Sequence, residues 1–205
     1  RPTDLDVDAS GRIYVASWKD GQYKYKGENI GFLALLTPKG ASAAAAPDVR
    51  KQSDTTLLEL LAGPSAVERM AAQWEIVRRA ERSDFRKELE AIAAGTASLS
   101  ARVAAIFTLK RAYGEAANPL LAELAKDASI REWALRALTD RKGQLANVPA
   151  EPILAALSDP NPRVRAQAAV SLGRLGRAAY ADKLVPLTID DDPVVAHLAV
   201  KAIVS

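Results

Sequence analysis

Cysteine is absent from the 205 residues, methionine and histidine occur once each, and aromatic residues amount to 5%. Without cysteine there is no disulfide, thiolate nucleophile, cysteine-ligated zinc, iron–sulfur cluster or covalently attached haem. The single histidine, His197, has no second histidine beside it, which removes most imidazole-based metal and acid–base designs. No uncharged apolar run approaches the about 20 residues needed to cross a bilayer. With 49% hydrophobic and 26% charged residues the chain suits a folded globular protein rather than a disordered one. Few aromatics beside abundant alanine favour helices packed through small residues over an aromatic-rich sandwich.

Charge of either sign is not in excess. Twenty-eight basic residues face 25 acidic ones, a net charge of +3. They divide as 7 basic and 6 acidic over residues 1–50, and 21 and 19 over the remainder, so no part is a polybasic arm. Residue 1 is an arginine leading straight into a strand-like pattern, without a start methionine or targeting peptide, and the chain is expected to be cut from a longer one. Absent cysteine fits cytosol and secretion alike, so the compartment stays open.

Three regions follow one another. Residues 1–39 read as a β-segment: Leu5 and Val7 alternate with Asp4, Asp6 and Asp8, Asp8-Ala9-Ser10-Gly11 supplies turn chemistry, and Ile13 to Trp18 is β-branched and aromatic. A second turn region with Gly21 and Gly27 leads to an apolar strand over Ile30–Thr37, closed by Pro38. Three such strands leave open edges and need a neighbour. Residues 40–53 form an alanine- and proline-containing linker, with Ala41-Ser42-Ala43-Ala44-Ala45-Ala46-Pro47 at its heart. Residues 54–205 read as helical throughout.

That helical region repeats itself. Arginine is followed at offsets 3, 4 and 7 by small and branched residues: Arg69 with Ala72 and Ile76; Arg102 with Ala105, Ile106 and Leu109; Arg131 with Ala134, Leu135 and Leu138; Arg165 with Ala168, Ala169 and Leu172. A fifth copy has Ala196 in place of the arginine, with Ala199, Val200 and Ile203. The anchors lie 33, 29, 34 and 31 residues apart, the length of one helical hairpin. Each is preceded by another apolar stretch, Leu57–Leu61, Leu89–Ala93, Leu120–Ala125, Ile153–Leu157 and Leu184–Leu187, which predicts the first helix of the pair. Offsets 3, 4 and 7 share one helical stripe, so that stripe is the expected buried side. One hairpin cannot bury its apolar face alone, whereas a stack shares a continuous core. The expected fold is mainly α: an α-α superhelix of about five hairpins behind a small antiparallel β-segment.

The run Leu157-Ser158-Asp159-Pro160-Asn161-Pro162-Arg163-Val164-Arg165-Ala166-Gln167-Ala168-Ala169-Val170-Ser171-Leu172-Gly173-Arg174-Leu175-Gly176 resembles a HEAT repeat, and the other copies run in phase with it, extending the resemblance over residues 54–205. The stretch from Arg1-Pro2-Thr3-Asp4 to Ser17-Trp18, with Leu36-Thr37-Pro38-Lys39-Gly40, resembles the last blade of a sugar-dehydrogenase-like β-propeller, of the kind joined to HEAT repeats and cytochrome c modules in large secreted bacterial proteins. The HEAT resemblance implies a protein-binding scaffold. The propeller resemblance implies a periplasmic or secreted parent that is an oxidoreductase, within which this chain would be a spacer. Most of the propeller and any Cys-x-x-Cys-His haem site are missing from the 205 residues, so no catalytic residue is expected here.

Candidate site residues fall into two rows. Arg69, Arg102, Arg131 and Arg165 are expected to form a structural ladder between neighbouring repeats, each pairing with a carboxylate or a carbonyl, with Asp159 as the partner of Arg165. A second basic row, Arg78, Arg79, Lys110, Arg111, Arg141, Lys142, Arg174 and Arg177, lies 8 to 12 residues beyond the anchors and would line one edge of the stack, where an acidic protein partner could bind. The same charges also suit helix C-termini through the helix dipole. Sparse aromatics and a near-neutral balance argue against nucleic acid. Asp4, Asp6 and Asp8 lack the glycine and the distal carboxylate of a calcium loop, Ala9 and Val15 standing in those places, and read as the polar side of a strand. Asp190, Asp191 and Asp192 ahead of Pro193 read as a helix cap. Trp74 and Trp133 are expected in seams between repeats. No metal, cofactor or small-molecule site is expected.

Overall fold

In the computed structural model, residues 2–8, 12–19, 26–37, 39–40 and 47–204 are described. The turn at Ala9–Gly11, Gly21, Pro38 and the tract Ala41–Ala46, all singled out above, lie outside the described residues. The chain divides into two compact units, residues 1–75 and 76–205.

The first unit opens with three strands, β1 (Pro2–Val7), β2 (Ile13–Trp18) and β3 (Gly31–Leu36), in an antiparallel sheet of order β1-β2-β3. Register places Leu5 opposite Val15 and Ala34, and Val7 opposite Ile13 and Leu36, giving one apolar face. The other face mixes Asp4, Ala16 and Leu33 with Asp6, Tyr14 and Leu35. The aspartates serve the hairpin: Asp4 and Asp6 each accept from the following amide, at 2.8 and 2.7 Å, and Asp8 binds the Arg12 guanidinium at 2.7 Å and the Tyr14 hydroxyl. A short 3-10 turn at Val49–Lys51 precedes α1 (Asp54–Ala62), whose N-terminus is capped by the Ser53 hydroxyl, and α2 (Ala66–Arg79) completes the first helical hairpin.

The second unit continues the pattern with α3 (Arg86–Ala94) and α4 (Leu99–Tyr113), α5 (Asn118–Leu124) and α6 (Arg131–Leu138), α7 (Glu151–Ala155) and α8 (Pro162–Leu175), and α9 (Ala181–Leu184) and α10 (Pro193–Val204). Proline at the first turn of α5, α7 and α8 fits the helix start, where the missing N–H costs nothing. Ser98 caps α4 and Asn161 caps α8 through side-chain oxygens. Gly176 ends α8 at φ 60°, a left-handed turn that its amide closes onto the carbonyls of Leu172 and Gly173. Neighbouring hairpins meet through their second helices, α4 on α6, α6 on α8 and α8 on α10.

The buried stripe is where the repeat places it. Ala72, Ala105, Ala134, Ala168 and Ala199, three residues past each anchor, are all 0% exposed. The residues at offset 7 in the first four copies, Ile76, Leu109, Leu138 and Leu172, are buried too. In α10 the corresponding Ile203 is 37% exposed, and Val200, at offset 4, is 47% exposed. Gly173 marks a close approach of α8 to α10: a Cβ added to it would lie 2.8 Å from the Ala202 Cβ. The architecture is therefore mainly helical, a repeating two-helix solenoid with a small N-terminal antiparallel sheet. No helix among the described residues is long and apolar enough to cross a membrane.

Candidate functional site

The ladder is built from both ends of each inter-helix turn. Each arginine reaches back to a carbonyl of its own hairpin's turn: Arg69 to Gly63 at 2.6 Å, Arg102 to Ala93 at 2.7 Å, Arg131 to Ala125 at 2.9 Å and Arg165 to Asp159 at 2.9 Å. The last three also reach forward to a carboxylate in the next hairpin's turn. Arg102 donates to Asp127 at 2.6 Å, Arg131 to Asp159, and Arg165 to both oxygens of Asp190 at 2.8 and 2.7 Å. The expected pairing of Arg165 with Asp159 is made through the backbone carbonyl and not through the carboxylate. Arg165 takes the Asp159 carbonyl, while the Asp159 carboxylate belongs to Arg131 of the preceding repeat.

These three aspartates do two jobs. One oxygen of each accepts the amide two residues on, Ser129, Asn161 or Asp192, fixing the turn that launches the second helix. The arginine engages the same carboxylate from the neighbouring repeat. Charge-assisted bonds from Arg102, with help from Ser129, pull the Asp127 carboxyl down to about 2, and Arg165 lowers Asp190 in the same way. Sequence reasoning missed Asp127, and it read Asp190 only as part of a cap. The capping oxygen is on Asp192, which accepts from the Val194 and Val195 amides. The signal that identifies the set is Asp-x-Ser, Asp-x-Asn and Asp-x-Asp recurring in step with the hairpins.

The second basic row separates. Lys110 is a correction: it is 0% exposed and donates at 2.8 Å to Asn118 Oδ1, and its amine is pushed down by burial. Asn118 in turn donates to the Asn147 carbonyl, so Lys110 locks a repeat junction and offers nothing to a partner surface. Arg111 and Arg79 are half-buried, while Arg78 is exposed near the end of α2. Arg177 donates to the Tyr180 hydroxyl at 3.0 Å and lies over its ring. Arg141 and Lys142 are exposed. Trp74, expected in a seam, is 55% exposed, whereas Trp133 is half-buried.

Lys142 and Arg174 come together. They line a groove of about 570 Å³ with Leu145, Val170 and Gly173 on one side and Leu198, Lys201 and Ala202 of α10 on the other. Lys201 was not expected, because it stands only five residues past its anchor and falls outside the basic row's spacing. A second cleft of about 650 Å³ runs along α5 and α7, with Pro119, Ala122, Pro152 and Ala155 in its wall and the Arg131–Asp159 pair at one end. Glu123 and Lys126 on its rim neutralise each other at 2.7 Å.

Residues 126–204 match the family model of HEAT repeats, the stretch that carries the Asp127, Asp159 and Asp190 turns. No curated protein matches the chain. Among solved structures, the X-ray structure of the Escherichia coli protein YibA aligns with 79% of this chain and 76% of its own, at 16% identity and a TM-score of 0.48.

Proposed function

We propose that this chain is a non-catalytic protein-interaction scaffold: a β-segment over residues 1–39, a linker over 40–53 and a HEAT-like repeat region over 54–205. The ladder is the observation that carries the reading. Each arginine between Arg102 and Arg165 ties the turn of its own hairpin to the turn of the next, so the stack is stiffened along its length. A stiff stack presents side chains from successive repeats at fixed spacing, which suits an extended partner and limits the ordering cost of binding. The strongest charges of the repeat region are consumed in that clamping. What remains exposed to a partner is the rest of the other basic set, Arg141, Lys142, Arg174 and Arg177, which favours an acidic protein over a neutral one.

The test uses the full chain as bait in a crosslinking capture, followed by binding measurements with each purified candidate. A partner held through this edge loses at least tenfold in affinity when Arg141, Lys142, Arg174 and Arg177 are reversed to glutamate. If no captured protein binds the purified chain saturably, the scaffold reading falls.

A second reading makes the chain a spacer in a propeller-type oxidoreductase whose catalytic blades lie elsewhere. It is favoured by the sheet, which exposes apolar side chains on both faces, Leu5, Val7, Phe32 and Leu36 on one and Leu33 and Leu35 on the other. A sheet flanked on both sides by others needs such a pattern. The intact reading frame decides it: several blade repeats upstream and Cys-x-x-Cys-His downstream are expected, and their absence removes the reading.

A further inference from the structure

We propose that the groove between Leu145, α8 and α10 is the docking cleft for an acidic amphipathic segment of a partner protein. Aliphatic side chains of that segment would sit on Val170 and Leu198, and its carboxylates on Lys142, Arg174 and Lys201. The inference rests on the scaffold reading and narrows it to one site and one ligand chemistry.

The floor comes from backbone geometry. Gly173 lets α8 approach α10 so closely that Ala202 fills the space of a side chain, and the longer Val170 and Leu198 flank that low point. Both are half-buried, as is Leu145, so an apolar surface stays open within a concave trough. Its volume lies within the range of about 300–1,000 Å³ typical of ligand clefts.

The rim is electrostatically one-sided. Lys142, Arg174 and Lys201 line the groove and no carboxylate does. None of the three forms an ion pair among the described residues, and Arg174 makes a single bond, to the Thr139 carbonyl at 3.0 Å. The cations in the first turns of α6 and α8 contrast sharply: Arg131, Arg163 and Arg165 each hold a carboxylate. One end of these hairpins is neutralised from within, and the other is left for carboxylates from outside. Beside an apolar floor with reduced access to water, such charge-assisted bonds gain strength.

An amphipathic protein segment accounts for both halves of the site. A purely acidic polymer would leave the aliphatic floor unused. Nucleic acid would find no aromatic ring in the lining on which to stack a base, and only three cations for its phosphates.

The experiment titrates the full chain into a fluorescein-labelled peptide, Glu-Leu-Asp-Asp-Leu-Leu-Glu-Glu, and follows anisotropy. Saturable binding is expected, with affinity lowered at least tenfold by Lys142→Glu with Lys201→Glu, and likewise by Leu198→Gln. Replacing the peptide's leucines by serine should weaken it to a similar degree. Lys142 and Lys201 are exposed, so their reversal leaves the fold intact, which a circular dichroism melt verifies. No saturable binding, equal binding by the variants, or equal binding of polyglutamate would overturn the proposal, as would tighter binding of single-stranded DNA. Proteins that still bind the chain in the capture experiment would then leave the scaffold reading standing without this groove.

Discussion

Asp159 is the most buried carboxylate of the ladder, which makes the loss of its partner Arg131 costly. The Asp159 side chain is 6% exposed, and without the guanidinium it keeps only the Asn161 amide. Breaking a fully buried pair costs more than a lost neutral hydrogen bond, yet Arg131 is 27% exposed and water can follow into the gap. Arg131→Met is therefore expected to destabilise the repeat region by about 1–3 kcal/mol, read as a lower denaturant midpoint. An unchanged midpoint would mean that the ladder contributes nothing net. Asp127 offers the pH counterpart. Its folded-state value of about 2 lies below the ordinary 3.8, so the unfolded chain binds the proton more readily. The stability it contributes is fully present above about pH 4 and is lost as pH falls toward 2. Asp127→Asn should flatten the acid limb of stability against pH in that window, while leaving its shape near neutrality unchanged.

Helices and their spacing were legible in the sequence because a hairpin period and a small-residue stripe are local facts. Ala168 shows why. It is 0% exposed where α8 packs between α6 and α10, and alanine there permits the approach. Ala168→Leu is expected to overpack that junction at a cost of about 1–3 kcal/mol, and an unchanged melting midpoint would count against close packing. Gly173 gives a finer test, since alanine is the better helix former by up to about 1 kcal/mol. Its Cβ would meet Ala202 at 2.8 Å, so Gly173→Ala should lower the melting midpoint despite that gain. Gly143→Ala, with nothing within 4 Å of the added atom, should leave the midpoint unchanged or raise it. What sequence spacing could not resolve is partner choice across repeats. Asp159 is near Arg165 in sequence, but the carboxylate faces backward, toward Arg131 of the previous hairpin. Lys110 was misplaced for a related reason. Two adjacent cations, Lys110 and Arg111, read as one exposed pair, although neighbours on a helix point about 100° apart and here one of them points inward. The groove was half-legible: its cations Lys142 and Arg174 stood in the basic row, while its floor depends on the α8–α10 crossing, which spacing alone does not reveal.

At the scale of the whole molecule, stability is unevenly supplied. Within residues 76–205 a buried stripe is reinforced by ion pairs, and α6 and α8 are each held from both sides. The sheet has neither advantage. Every residue of β1 is exposed, β3 exposes Phe32, Leu33, Leu35 and Leu36, and no residue of the three strands is fully buried. Three strands with two wet faces are held chiefly by their own hydrogen bonds and open with little free energy. Hydrogen exchange on the full chain should therefore show the β1–β3 amides exchanging well ahead of those in α6 and α8, whose inward residues Ala134, Leu135, Ala168 and Ala169 are all 0% exposed. Adding Arg131→Met should accelerate exchange in α6 and α8, because the missing clamp joins their two hairpins, and leave the order between sheet and helices unchanged. Sheet amides protected as strongly as α6 would contradict this division, since that protection would require covering that the described strands do not have.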